Sequence, residues 1–262
     1  MRLALGGSNI REYLYLTTHF NRMVSRLREL IARLNQEHLD RRRAEMQLLH
    51  AQIKPHFLYN TLDLIHWRAM DYRAHEISGM VHQLSRLFRI GLGNDKWYVT
   101  VRGELDHAQC YMKIQEYRLH SGIAYRTEVP GDLLDALVPK IILQPFLENA
   151  VIHGFKKRKE RMEIVVAFER RAGEGGELLI ATITDNGCGL PEGFDVKTSP
   201  GIGIRNVIDR IQLFCGPSYG VEIGPADGGG TRVTIRLPLI RDEAEMEQLT
   251  RSHSHAYDLA GG

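Results

Sequence analysis

"ELLIATITDNGCG", residues 177–189, reads as a strand that runs into a glycine loop. Upstream, "MEIVVAFERR" reads as a second strand, joined to the first through the glycine-rich turn "AGEGG". Downstream, "GVEIG" and "TRVTIRLPL" form another strand pair around "ADGGG". Between the two pairs, "GIRNVIDRIQLFCG" predicts a helix that stops at Gly216, where a glycine suits a helix end. On the N-terminal side lie "VPKIILQPFLENAVIHGF", an apolar helix opened by a proline, and "IAYRTEV", which alternates like a strand. Before them, "GELDHAQCYMKIQEYRLH" reads as a helix with Leu105, Ala108, Tyr111 and Met112 inward. Residues 94–240 therefore predict an α+β domain: a mostly antiparallel sheet covered by helices. The polar residues 241–262 read as a loose tail.

The first third has a different texture. Residues 9–46 read as one long helix. Phe20, Val24, Leu27, Ile31 and Leu34 recur at steps of four and three, a heptad seam. Such a narrow seam predicts packing on another helix, and hence a homodimer. After Pro55, Leu58, Leu62, Ile65 and Ala69 form an apolar stripe. "HEISGMVHQLSRLFRIGL" follows as a second amphipathic helix with Ile77, Val81, Leu84 and Phe88 on its apolar face. Residues 45–93 thus predict a helical hairpin, preceded by a helix over 1–44, with "GLGNDKWYVT" closing it near residue 94.

Composition excludes several classes. The 262 residues carry 43% hydrophobic and 25% charged side chains, ordinary for a globular chain. A formal net charge of +2 gives no reason to expect direct nucleic-acid binding. The basic run "KKRKER", 156–161, reads as a solvated loop. Cys110, Cys188 and Cys215 are too far apart for a zinc pair or a disulfide framework. No run of 18 apolar residues is present, so no membrane-spanning helix is expected.

Four short elements carry chemistry. In "ENAVIHG", the Asn149 carboxamide is a hard oxygen donor suited to Mg²⁺, and His153 lies four residues on. Read alone, the same residues are an ordinary helix end. In "DNGCG", Asp185 can accept a hydrogen bond from an exocyclic amine, while Gly187 and Gly189 let backbone approach a flat ligand; the plain alternative is a turn. In "GIGIRNV", Gly201 and Gly203 precede a helix start, where free amides hold phosphate. "GGGT", with Gly230 and Thr231, precedes the last strand and is otherwise a hairpin turn.

Taken in order, Asn149, Asp185/Gly187/Gly189, Gly201/Gly203 and Gly230/Thr231 resemble the N, G1, G2 and G3 boxes of the Bergerat-fold ATPases. The resemblance covers about 139–238. It implies an ATP site with Mg²⁺ on Asn149, the adenine on Asp185, and a lid over about Leu190–Pro200. Branches that hydrolyse ATP resemble one another in a glutamate base four residues before the box asparagine; Pro145 stands there. That departure favours an imidazole acceptor, which has a free lone pair when neutral.

"QIKPHFLYNTL", 52–62, supplies one. Gln52, His56, Asn60 and Asp63 share a polar stripe opposite Leu58, Leu62 and Ile65, so His56 should reach solvent. "PHFLYNTL" together with "IILQPFLENAVIHG" resembles the LytS/YesM-type sensor histidine kinases. The resemblance implies that His56 is autophosphorylated from ATP and that the phosphoryl group passes to an aspartate of a response regulator, one possible form having a DNA-binding output domain. Residues 9–40 resemble the second half of a HAMP segment. A preceding membrane sensor would then be missing from this chain, which would lie on the cytoplasmic side of a bacterial membrane. Two alternatives are a degenerate ATP-binding scaffold and an ATP-hydrolysing clamp.

Overall fold

The computed structural model describes residues 55–93, 96–119, 122–154, 161–173, 176–190 and 201–249. The heptad seam, the HAMP-like segment, most of the basic run, most of the expected lid and the end of the tail lie outside these residues.

Two helices come first: α1, Pro55–Asp71, and α2, His75–Leu92. They form the expected hairpin, and the turn between them places Arg73 at φ 58°. Its buried seam departs from the predicted stripes. Leu62 and Ala69 are buried, but Ile65 and Ile77 are exposed, and the two buried residues of α2 are Ser78 and Ser85. The reason is polar pairing across the seam. Ser78 Oγ lies 2.8 Å from His66 Nδ1, and Ser85 donates to Asp63 Oδ1 at 2.8 Å. Asp63, expected on the polar stripe with His56, instead faces α2, where Arg89 also reaches it at 3.3 Å. Satisfied polar groups can be buried at little net loss, so they share the seam with the buried Leu62 and Ala69 and the half-buried Val81, Leu84 and Phe88 that periodicity nominated. Phe57, Leu64, Trp67 and Tyr72 are left on the outer surface.

Strand β1, Tyr98–Thr100, leads into α3, Val101–Leu119. β2 is Ile123–Glu128 and β3 is Leu137–Pro139; β1 and β3 pair antiparallel as a small separate sheet. The segment expected to be one apolar helix from 138 divides. Pro139 ends β3, a turn follows, and α4 occupies only Gln144–Asn149, continuing as a π-helical turn over Ala150–Gly154. Pro145 explains the late start, because proline fits the first helical turn but not the interior.

The main sheet adds β4, Met162–Gly173, β5, Gly176–Asp185, β6, Gly220–Pro225, and β7, Thr231–Pro238. Its order is β2-β4-β5-β7-β6, with β2 parallel to β4 and every other pair antiparallel. Helix α5, Ile202–Cys215, ends at Gly216, whose φ of 105° suits a glycine. Met162, Ile164, Val166 and Phe168 of β4 alternate inward, as do Val233, Ile235 and Leu237 of β7. They share one core with Ala108, Met112, Leu147, Val207 and Ile211 from the helices. The result is a mostly antiparallel sheet packed with helices, as the sequence predicts.

The hairpin meets this core through α2 and α3. A Cβ at Gly91 would stand 3.3 Å from His107 Nε2. His107 is 3% exposed, and its Nδ1 has no hydrogen-bond partner among the described residues. Burial lowers its pKa from 6.5 to about 4. The unfolded chain therefore takes up a proton between pH 6.5 and 4 that the folded chain refuses. The stabilisation is complete above pH 6.5 and is lost as pH falls toward 4, by roughly 3 kcal/mol in all. Replacing His107 with leucine should flatten the dependence of melting temperature on pH across that window; an unchanged slope would contradict the assignment.

Candidate nucleotide site and phosphoacceptor helix

β5 sits in the middle of the sheet and delivers Asp185 at its end, opposite Ile164 of β4. Asp185 is 7% exposed. Its Oδ1 accepts N–H bonds from Gly187 at 2.8 Å and from Thr231 at 3.3 Å. Burial raises the carboxyl's pKa, and these donors oppose the rise. The carboxylate is thus fixed by backbone on one side before any ligand arrives.

Glycines close the loops around it. A Cβ on Gly187 would lie 2.6 Å from the Gly154 carbonyl oxygen and 2.7 Å from Asp185 Oδ1. Gly230, at φ 94°, is pressed against the Asp185 carbonyl, so a side chain there meets backbone. The Gly154 oxygen also accepts from Cys188 N–H at 2.8 Å. The π-helical turn therefore docks on the 187–189 loop, tying the Asn149 segment to Asp185. π-Helical turns are frequent at functional sites, and this one begins directly after Asn149. Asn186 points the other way: its side chain accepts from Glu163 N–H at 2.9 Å and donates to the Arg161 carbonyl at 3.0 Å, pinning the loop to the start of β4.

Asn149 is half-buried at the last position of α4. His153 lies in the π-helical turn, its side chain outside the described residues. Gly201 caps α5 with no side chain of its own, leaving first-turn amides free of that bond. Gly203 faces Pro145, with 3.4 Å between an added Cβ and the proline Cβ, so α4 and α5 touch there. Glu148 is held by Gln144 Nε2 at 2.7 Å. Among the described residues no group of three His, Cys, Asp or Glu side chains could hold a metal ion.

The structure thus brings together Asp185, Gly187, Gly189, Gly230 and Thr231, with Gly154 added. His56 stands apart on α1. It is exposed, with Asn60 Nδ2 3.2 Å from its Nδ1. The Asn60 amide can donate to an unprotonated Nδ1 or, turned over, accept from a protonated one, and its Nδ2 also lies 3.5 Å from Nε2.

Sequence reasoning missed a support beneath α4. Ile141 is β-branched yet adopts φ 59°, a strain of about 1–3 kcal/mol. The Glu104 carboxylate, 2% exposed, accepts N–H bonds from Ile141, Ile142 and Leu143 at 2.7–2.9 Å. Burial raises its pKa, against the pull of those donors and of Arg210. The available signal was position: Glu104 lies four residues before Ala108 and seven before Tyr111, on the inward stripe of α3.

Residues 44–123 match the family model described as histidine kinase. Residues 135–241 match that of the histidine kinase-, DNA gyrase B- and HSP90-like ATPases. The sensor histidine kinase YesM of Bacillus subtilis strain 168 is 33% identical over 85% of this chain and 38% of its own length. The sensor histidine kinase BtsS of Escherichia coli K12 is 33% identical over 77% of this chain and 34% of its own length. The sensor protein LytS of Bacillus anthracis is 28% identical over 80% of this chain and 36% of its own length. The chain therefore spans well under half the length of these relatives. Among the described residues no helix is long and apolar enough to cross a membrane.

Proposed function

The chain belongs to the histidine kinase family of the YesM and LytS type, and from that premise we propose that it phosphorylates its own His56 from ATP and passes the phosphoryl group to a response-regulator aspartate. The observation that carries the reading is the buried Asp185, fixed by Gly187 and Thr231, in a chain that also exposes His56.

Asp185 would recognise the adenine amine, and its backbone donors pre-orient it for that bond. Asn149 would hold Mg²⁺, whose charge offsets that of the phosphates. Gly187 and Gly230 let the loops close tightly around Asp185, Gly189 lies beside the Gly230 carbonyl, and Gly201 leaves open space at the start of α5, with Gly203 in its first turn, where the amides favour phosphate. His153 belongs to the same constellation by resemblance.

Neutral His56 attacks through one ring nitrogen. An N–P bond forms to the γ-phosphorus as the bond to the bridging oxygen breaks, and ADP leaves. Asn60 orients the ring. A carboxamide takes no proton, so the ring proton is released to solvent, which the exposed position allows. Pro145 leaves no carboxylate to activate water, which disfavours hydrolysis as the main reaction.

Phe57, 73% exposed, and Trp67, 64% exposed, lie on the outer surface of the hairpin. A second copy of the chain would cover them, forming the homodimer. In the longer protein, a sensor region in the membrane would precede this part, placing it at the cytoplasmic face. Incubation with Mg²⁺ and ATP labelled at the γ-phosphate should label the chain, and chelation should abolish labelling. Equal labelling in excess chelator would reject the reading.

A further inference from the structure

We propose that Glu104 and Arg210 are positioning residues that clamp the Lys140–Leu143 turn and thereby set Asn149 of α4 against the glycine-led start of α5. The proposal rests on the reading of these elements as an ATP site.

The turn is held from two sides. From α3, Glu104 Oε2 accepts from Ile141 N–H at 2.8 Å, and Oε1 accepts from Ile142 at 2.7 Å and Leu143 at 2.9 Å. From α5, Arg210 Nη1 donates to the Lys140 carbonyl and, at 3.4 Å, to that of Ile141. Opposite charges therefore grip the donors and acceptors of one turn, including Ile141 in its left-handed conformation. Leu143 occupies the capping position of α4, whose last residue is Asn149. Arg210 belongs to the helix that Gly201 opens. A shift of the turn would move both ends of the site against each other.

The same turn receives the linker from the hairpin. Lys140 N–H donates to the Trp97 carbonyl at 3.0 Å, and its Nζ donates to the Gly93 carbonyl at 2.6 Å. Trp97 stacks on Phe214 of α5 with ring centroids 3.9 Å apart. The segment leaving α2 thus ends on the clamped turn and on the helix that carries Arg210.

An ordinary core role would affect nucleotide binding only by loosening the fold. A positioning role affects the metal-dependent part of binding, because Asn149 is the proposed metal donor. The test measures ATP affinity of the full chain by calorimetry, with Mg²⁺ and with chelator, for wild type, Asn149→Ala, Glu104→Gln and Arg210→Met. Wild type should bind more tightly with Mg²⁺, and Asn149→Ala should lose that gain. Glu104→Gln and Arg210→Met should each reduce the Mg²⁺-dependent gain by about tenfold, the usual scale for groups that orient a metal ligand. Their affinity in chelator should stay near wild type, with circular dichroism unchanged. If Glu104→Gln does not fold, Arg210→Met decides on the same outcomes. A normal Mg²⁺ gain in folded variants overturns the clamp alone, as does an equal loss with and without Mg²⁺. Absence of ATP binding by wild type, or a normal gain in Asn149→Ala, overturns the site reading and the clamp with it.

Discussion

Replacing His56 with glutamine removes phosphoryl labelling of the chain and leaves ATP affinity at the wild-type level. The first half follows from chemistry: the glutamine amide nitrogen has no available lone pair to attack phosphorus. The second follows from structure. His56 lies on α1, exposed, with Asn60 as its neighbour, while the Asp185 cluster is built from β5, β7 and the π-helical turn. Because the site is exposed, substitution should also leave the fold intact. Labelling that persists in His56→Gln would place the acceptor elsewhere. Loss of ATP affinity would mean that His56 belongs to the nucleotide site.

Changing Asp185 to asparagine should weaken ATP binding between about ten- and a hundred-fold, the scale of one charge-assisted hydrogen bond. The new carboxamide must keep its oxygen toward the Gly187 and Thr231 N–H donors, because its own NH₂ would face them donor to donor. Its NH₂ is then left facing the adenine amine, again donor to donor. The change should weaken binding of a purine with a carbonyl in place of that amine far less. Calorimetry with both nucleotides checks the pattern; equal losses for the two bases would show that Asp185 supports the loop and does not read the base.

The sheet was legible because its strands alternate and its turns are glycine-marked: "AGEGG" and "ADGGG" join strand pairs where the sequence predicts. Gly216 ended its helix as expected. The need for glycine at 187 and 230 was legible for a related reason, since any Cβ there would strike backbone. Periodicity failed where polar pairs took core positions. Ser78 and Ser85 are buried because His66 and Asp63 meet them, and that pairing depends on how two helices cross. Glu104 failed for the same reason. Its partners are backbone amides 37 to 39 residues away, which no local pattern encodes. The segment from 138 misled because its apolar run is continuous, while the break before Gln144 is made by Pro145 and the Glu104-bound turn.

The central claim is that His56 accepts the phosphoryl group from ATP. The most direct measurement maps the modification after incubation of the full chain with Mg²⁺ and ATP, by fragmenting it under alkaline conditions and sequencing the phosphopeptide by mass spectrometry. The expected result is an acid-labile, alkali-stable group on His56. An acid-stable phosphoryl group, or one located on any other residue, would contradict it.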